Sequence, residues 1–216
     1  MKVSAIIPAF NEEKTISTVI QAALGCQDID EIIVVDDGST DRTSSTASSF
    51  DSVRLIRFSK NRGKGAAYAR GLREARNRVV FTLDADLPRI RTVDISKIVD
   101  RYRVGDVDAV IGPQGLTPFF DSVTGQRIYD KSIVLPYLSC IAPNRFALEI
   151  VLNQIFSHRR VAVVAIRTVG HLFKHQRYPL LFSVVENIKE VCQQLWFFFI
   201  IRFGLWKEFN NIYTSN

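Results

Sequence analysis

The stretch IIVVDDGSTDRT, residues 32–43, decides the fold. Its unbroken opening run of Ile and Val must be buried on both faces, as a central strand of a parallel sheet is. The run ends in Asp36 and Asp37, breaks at Gly38, and continues with Ser39, Thr40 and Asp41, which are helix-capping residue types. The pattern is therefore strand, polar turn, helix. Adjacent residues on a strand point to opposite faces, so one of the two Asp side chains faces a ligand beyond the strand tip and the other holds the turn. The plainer alternative is that this whole cluster only caps the following helix.

The same pattern repeats to either side. Residues 3–8, VSAIIP, predict a strand. Asn11 then opens a helix with Glu12 and Glu13 in its first turn, where carboxylates suit the positive end of the dipole, and that helix stops at Gly25. Strands follow at 31–35, 53–57, 79–83 and 108–112, with helices at 41–50, 64–76 and 93–103 between them. A strand–helix repeat of about 20–25 residues is the signature of βαβ units. The expected fold class is α/β, a mostly parallel sheet flanked by helices. In such sheets ligands sit beyond the carboxyl ends of the strands. Four polar motifs fall at those ends: Pro8–Glu12, Asp36–Ser39, Asn61–Lys64 and Asp84–Asp86. They predict one shared site. Beyond them the pattern is less regular: a loop over 113–127, a largely helical stretch over 128–157 broken at Pro136, a strand at 161–166, and a long apolar helix over 181–206.

The chain of 216 residues suits one α/β domain. Its net charge of +6 is uneven, since half of the 28 Lys and Arg residues lie between Arg54 and Arg103. That field suits an anionic partner. No zinc-finger or aromatic-interleaved RNA motif accompanies it, so no nucleic acid is expected. Cys26, Cys140 and Cys192 are isolated, which implies neither a disulfide framework nor a metal pair and suits a reducing compartment. The N-terminus runs straight into a strand and is too short in apolar length for a signal peptide.

Asp84-Ala85-Asp86 follows the apolar run VVFTL. Carboxylate oxygens at this spacing suit a hard cation, Mg²⁺ or Mn²⁺, which takes one or two carboxylates and completes its shell with substrate phosphates. Asn61-Arg62-Gly63-Lys64-Gly65 sets two glycines and two cations before a helix, and N–H groups at a helix start attract phosphate. A P-loop would need Ser or Thr where Gly65 stands, and a dinucleotide fingerprint would need Gly where Tyr68 stands. Neither an ATPase nor a nicotinamide enzyme is expected.

Taken together, IIPAFNEEKTI (6–16), IIVVDDGSTDRT (32–43), NRGKGAAYARGL (61–72) and FTLDADL (81–87) resemble the family 2 glycosyltransferases of the GT-A fold, in order and in spacing, over the first 112 residues. The resemblance implies a metal-dependent hexosyltransferase with a UDP- or GDP-linked sugar donor. It puts Pro8, Ala9 and Glu12 around the base and ribose, Asp37 on the nucleotide, Lys64 near the donor phosphates, Asp84 near the ribose or sugar, and Asp86 on the metal. SVTGQRIYDKSIV (122–134) resembles the acceptor-side Gly-x-Arg segment of polyprenyl-phosphate sugar transferases, which implies acceptor-side roles for Gly125 and Arg127. NRFALEIVLN (144–153) resembles their following segment with a buried Glu, so Glu149 would orient the acceptor or act as a base. Its structural alternative is pairing with Arg145 or Arg127. Two departures shift the comparison: Pro88 and Arg89 follow the Asp-Ala-Asp motif, and IRTVGHLFKHQRYPL (166–180) is closer to glucosyl-3-phosphoglycerate synthase and its relatives, where a late His joins the metal. That implies His171, with Asp84 and Asp86, as a metal ligand, and His175 as its substitute. The first resemblance implies inversion at the sugar, the second retention.

Residues 1–180 are thus expected to form the GT-A domain and 181–216 an apolar helix. In LWFFFIIRFGLW (195–206) only Arg202 and Gly204 are not apolar, which is too short to span a bilayer but fits an interfacial helix with Trp196 and Trp206 near its ends. A core helix or a homodimer contact is the alternative. The expected acceptor is a polyprenyl phosphate, met by a cytoplasmic protein in peripheral contact with the membrane face; phosphoglycerate or another small polar acceptor is second. A non-catalytic nucleotide-sugar-binding scaffold and a sugar-nucleotide pyrophosphorylase are the rivals from other classes, the latter disfavoured because PAFNEE is not its Gly-rich basic loop.

Overall fold

The computed structural model describes residues 1–112, 124–143 and 148–166. In chain order the elements are β1 (Val3–Ala9), α1 (Ile16–Leu24), β2 (Ile29–Asp36), α2 (Thr43–Ser48), β3 (Val53–Arg57), α3 (Lys64–Glu74), β4 (Val79–Thr82), α4 (Thr92–Arg103), β5 (Ala109–Ile111), β6 (Arg127–Asp130), two short 3₁₀ turns at Lys131–Ile133 and Leu135–Tyr137, α5 (Leu138–Ile141), α6 (Leu148–Phe156) and β7 (Val161–Val163). The strands form one sheet in the order β3-β2-β1-β4-β6-β5-β7. β1, β2, β3 and β4 pair in parallel, as do β5 and β7, while β6 runs antiparallel to both its neighbours. The expected α/β class with a mostly parallel sheet is what the chain forms.

Alternation along each strand builds two cores. Ala5 and Ile7 of β1 join Ile32 and Val34 of β2, Val19 and Ile20 of α1, and Ile95, Ile98 and Val99 of α4 on one face. Ile6, Ile33 and Val35 join Tyr68 and Leu72 of α3, Ile141 of α5, and Leu148, Val151 and Leu152 of α6 on the other. A period of two in the strands and of three to four in the helices dictates this division. Every residue of β1 is buried, which makes it the centre of the sheet. The chain travels outward from β1 through β2 to β3, then returns to place β4 on the opposite side of β1. That reversal opens a crevice at the carboxyl ends of β1 and β4, where α/β sheets bind ligands.

Two expectations are corrected. The first helix does not begin at Asn11 with Glu12 and Glu13 in its first turn; it begins at Ile16 and has no acidic residue there. The cause is competition for backbone donors. The Asn11, Glu12 and Glu13 N–H groups donate to Ser39 Oγ at 2.9 Å, Thr43 Oγ1 at 2.7 Å and Asp41 Oδ2 at 3.2 Å, so the loop after β1 is stitched to the loop after β2 instead of coiling. Asn11 takes the left-handed conformation, φ 55°, that this path requires. The other correction is narrower: among the described residues, 128–157 is largely helical around Pro136 as expected, but its start, up to Asp130, belongs to β6. A four-residue strand, RIYD, with a charge at each end has too little alternation to register as one.

Candidate active site

The crevice takes its floor from the strand tips and its walls from α3 and α6. Pro8, Lys64, Tyr68, Thr82, Leu83, Asp84, Gly125, Leu148, Glu149 and Leu152 enclose about 230 Å³, part of it open to solvent. Lys64 is the first residue of α3, set by Gly63, whose φ of 98° lets the chain turn sharply into the helix. Its ammonium lies 2.7 Å from Asp84 Oδ1 and donates to Glu149 Oε1 at 2.5 Å. The cation therefore bridges the end of β4 and the first turn of α6. Burial opposes the Lys64 charge, but the Asp84 and Glu149 carboxylates outweigh it and hold the ammonium above its ordinary value. Burial likewise pushes the Glu149 carboxyl up, and Lys64 more than reverses this, leaving it below the usual carboxylate range. Both groups are charged at neutral pH, and Glu149, expected as a base or acceptor-orienting group with Arg145 or Arg127 as its structural partner, has Lys64 as its near partner.

Asp84 is held from behind. Its Oδ2 accepts from Gly125 N at 3.2 Å and from Gln126 Nε2 at 2.8 Å. A Cβ on Gly125 would stand 2.1 Å from Asp84 Oδ1, so only glycine lets the β6 approach pass so close to the carboxylate. Asp86, half-buried, lies on the same turn two residues further on.

Of the paired acids, Asp36 ends β2 and Asp37 follows it, and both side chains accept from backbone N–H groups of nearby loops. Asp36, fully buried, accepts from Ser39 N at 2.9 Å and lies 3.3 Å from Arg57 Nε, so it holds the turn. Asp37 accepts from Arg62 N at 2.7 Å and Gly63 N at 2.8 Å. It thereby fixes the loop that delivers Lys64, and two N–H groups expected to meet phosphate are committed to it. Pro8 lines the crevice, Ala9 ends β1 beside Asp36, and Glu12 is buried with its carboxylate accepting from Thr15 Oγ1 at 3.1 Å.

Behind the crevice is a polar layer that the sequence did not reveal. Arg127 is 1 % exposed and its Nε donates to Thr124 O at 2.9 Å. Burial pulls its guanidinium below the ordinary value, against the opposing pull of Glu149. The Tyr68 and Tyr129 hydroxyls, from α3 and β6, meet beside it, and burial raises both phenols. Of the two residues expected on the acceptor side, Gly125 lines the crevice and Arg127 lies beneath it. Gln126 and Tyr68 were missed because their contacts, to Asp84 and Tyr129, span 42 and 61 positions of sequence, and no local pattern marks such pairs. His171, His175, the 113–123 loop and the apolar stretch 181–216 lie outside the described residues. Among the described residues no three His, Cys, Asp or Glu side chains cluster as a metal site, and no helix is long and apolar enough to cross a membrane.

A crevice at the switch point of a GT-A-type sheet, with a half-buried lysine and an Asp-x-Asp turn, defines a class, and the sequence match agrees with it. The chain belongs to glycosyl transferase family 2, whose model matches residues 4–135. Among curated relatives, it is 40% identical over 119 residues to the dolichol-phosphate mannosyltransferase of Pyrococcus furiosus, covering 52% of this chain and 33% of the relative. It is 36% identical over 100 residues to the mouse dolichyl-phosphate beta-glucosyltransferase, covering 39% and 31%. The chain thus spans about a third of the length of these relatives. Among solved structures, glucosyl-3-phosphoglycerate synthase from Mycobacterium tuberculosis, in complex with Mn²⁺, UDP-glucose and phosphoglyceric acid, superposes with a TM-score of 0.72 at 21% identity, covering 91% of this chain and 79% of that one. This likeness establishes the fold.

Proposed function

We propose that the chain is a metal-dependent hexosyltransferase that takes its sugar from a UDP- or GDP-linked donor and passes it to a polyprenyl phosphate. The observation that carries the reading is the Lys64 ammonium, held charged at the carboxyl ends of β1 and β4 between Asp84 and Glu149. A lysine so placed has a ready partner in the diphosphate of a donor lying across the crevice. The charges also favour a cation. Asp84 and Glu149 offset the charge of Lys64, so the lysine by itself offers an entering diphosphate little excess positive charge. Oxygen donors on one turn fit Mg²⁺ or Mn²⁺. Asp86 would hold it, with Asp84 and His171 as further ligands; when bound, it offsets charge on the departing diphosphate.

The chain's own groups do the rest. Pro8, Ala9, Glu12 and Asp37 form the base and ribose wall, Asp37 acting also through the loop it fixes. Lys64 binds and orients the phosphates. Asp84 faces the ribose or sugar. Glu149 keeps Lys64 charged and directed into the crevice. The acceptor oxygen attacks the anomeric carbon from the side of Gly125 and α6, and the bond to the diphosphate breaks. The lipid acceptor is supported by the two dolichyl-linked relatives and by the apolar stretch 195–206, and using it would bring the protein into peripheral contact with a membrane face. A small polar acceptor is the second reading, favoured by the phosphoglyceric acid in the structural neighbour.

The test is sugar transfer from a panel of UDP-glucose, UDP-galactose and GDP-mannose with Mn²⁺, offered either polyprenyl phosphate in detergent or 3-phosphoglycerate. Metal-dependent transfer to the lipid is expected. Transfer to phosphoglycerate alone would move the assignment to the second reading, and no turnover of any donor would refute both.

A further inference from the structure

We propose that Gln126 is a positioning residue, whose side-chain amide sets the Asp84 carboxylate so that its free edge meets Lys64 and the donor; this rests on the function proposed above. Gln126 is completely buried. Burial of a primary amide is costly unless both its ends are bonded, and here both are. Its Nε2 donates to Asp84 Oδ2 at 2.8 Å, and its Oε1 accepts from the Thr124 hydroxyl.

The direction of this relay is fixed by charge. A carboxylate only accepts, so the amide must turn its NH₂ toward Asp84 and its oxygen away. Thr124 is then required as a donor to that oxygen. The same segment adds Gly125 N, which donates to the same Asp84 oxygen at 3.2 Å. Two donors on Oδ2 leave Oδ1 turned into the crevice, 2.7 Å from Lys64 Nζ. The backbone that carries the relay is itself anchored, since Gly112 N donates to Gln126 O at 2.9 Å. Thr82 Oγ1 donates to Gly125 O at 2.6 Å, which ties the relay to the last residue of β4, two positions before Asp84. Gln126 touches none of the reacting groups except through Asp84. Its effect should therefore fall on turnover more than on donor affinity.

The experiment compares wild type with Gln126→Met, which keeps length and removes the amide, and with Gln126→Ala. In crystals of Gln126→Met the Asp84 carboxylate should rotate, and its contact with Lys64 should lengthen beyond hydrogen-bonding range. With the fastest donor of the panel, kcat should fall by about tenfold or more while donor KM stays within about threefold, the pattern of a lost transition-state interaction. A Met variant that keeps Asp84 on Lys64, or one with kcat unchanged, would overturn the proposal. A wild-type measurement covers the case in which neither variant folds. By hydrogen exchange, the Gln126 side-chain amide should exchange roughly tenfold or more slowly than those of exposed Gln21 and Gln27, and equal rates would overturn the proposal. If the wild type turns over no donor, the proposed function fails, and the rotation of Asp84 and the exchange rate still decide the role of Gln126.

Discussion

Removing the ammonium of Lys64 should expose how strongly the crevice depends on it. In Lys64→Met, Asp84 keeps its two donors from Gly125 and Gln126, but the Glu149 side chain, 9% exposed, loses its near cation. Removing one partner of a buried ion pair costs about 3–5 kcal/mol. The Lys64 side chain is 34% exposed, so solvent already screens part of the interaction, and about 2–3 kcal/mol is the better expectation. For a chain of this size that lowers Tm by roughly 4–12 °C. Glu149→Gln should cost less, about 1 kcal/mol, because Lys64 retains Asp84. The double variant should be less destabilised than the two singles added together, since no unpaired Glu149 charge then remains. The expected coupling is about 1–2 kcal/mol, within the range for contacting residues. Urea unfolding of the four proteins at pH 7, followed by circular dichroism, measures it. Additivity within about 0.5 kcal/mol would refute the claim that Lys64 and Glu149 form a bridging pair in the donor-free protein.

Three further outcomes follow from the geometry. Gly125→Ala places a Cβ 2.1 Å from Asp84 Oδ1 and must push that carboxylate aside, so steady-state kinetics should show a loss of about tenfold or more in kcat with a modest change in Tm. Asp86→Ala should abolish Mn²⁺-dependent turnover while leaving the circular dichroism spectrum and Tm near wild type; retained turnover would remove Asp86 from the metal. At the opposite end of the sheet, burial raises the Glu31 carboxyl, but bonds from Ser4 and Arg76 outweigh it and hold it below its ordinary 4.5. A depressed folded-state value means that this stabilisation is complete above that ordinary value and is lost as pH falls through the lower one, so urea titrations should give Glu31→Gln a flatter loss of stability below pH 4.5 than wild type.

Much of this was legible in the sequence because the first half is built from local repeats. Each apolar run followed by a polar turn and a helix is a complete βαβ statement, so strand identity and the clustering of Pro8, Asp37, Lys64 and Asp84 at one edge could be read from spacing. What failed was non-local. The side chains of Ser39, Asp41 and Thr43 hold the N–H groups of Asn11, Glu12 and Glu13, which delays α1 to Ile16, and no window around Asn11 contains that information. β6 was missed because a short antiparallel strand between β4 and β5 is specified by its neighbours more than by its own pattern. With β6 went Gln126, which reaches Asp84 across 42 positions of sequence. Glu149 was legible as a buried acid, but its pairing with Lys64 across 85 positions was not.

The central claim is that the crevice between β1 and β4 grips a nucleoside diphosphate with the help of a divalent ion. Isothermal titration of the wild-type chain with UDP and with GDP, each with and without Mn²⁺, tests it most directly. One of the two nucleotides should bind, tightly only when Mn²⁺ is present, and both Lys64→Met and Asp86→Ala should weaken it. Absence of binding by either nucleotide with Mn²⁺ present, or binding indifferent to both substitutions, would contradict the account.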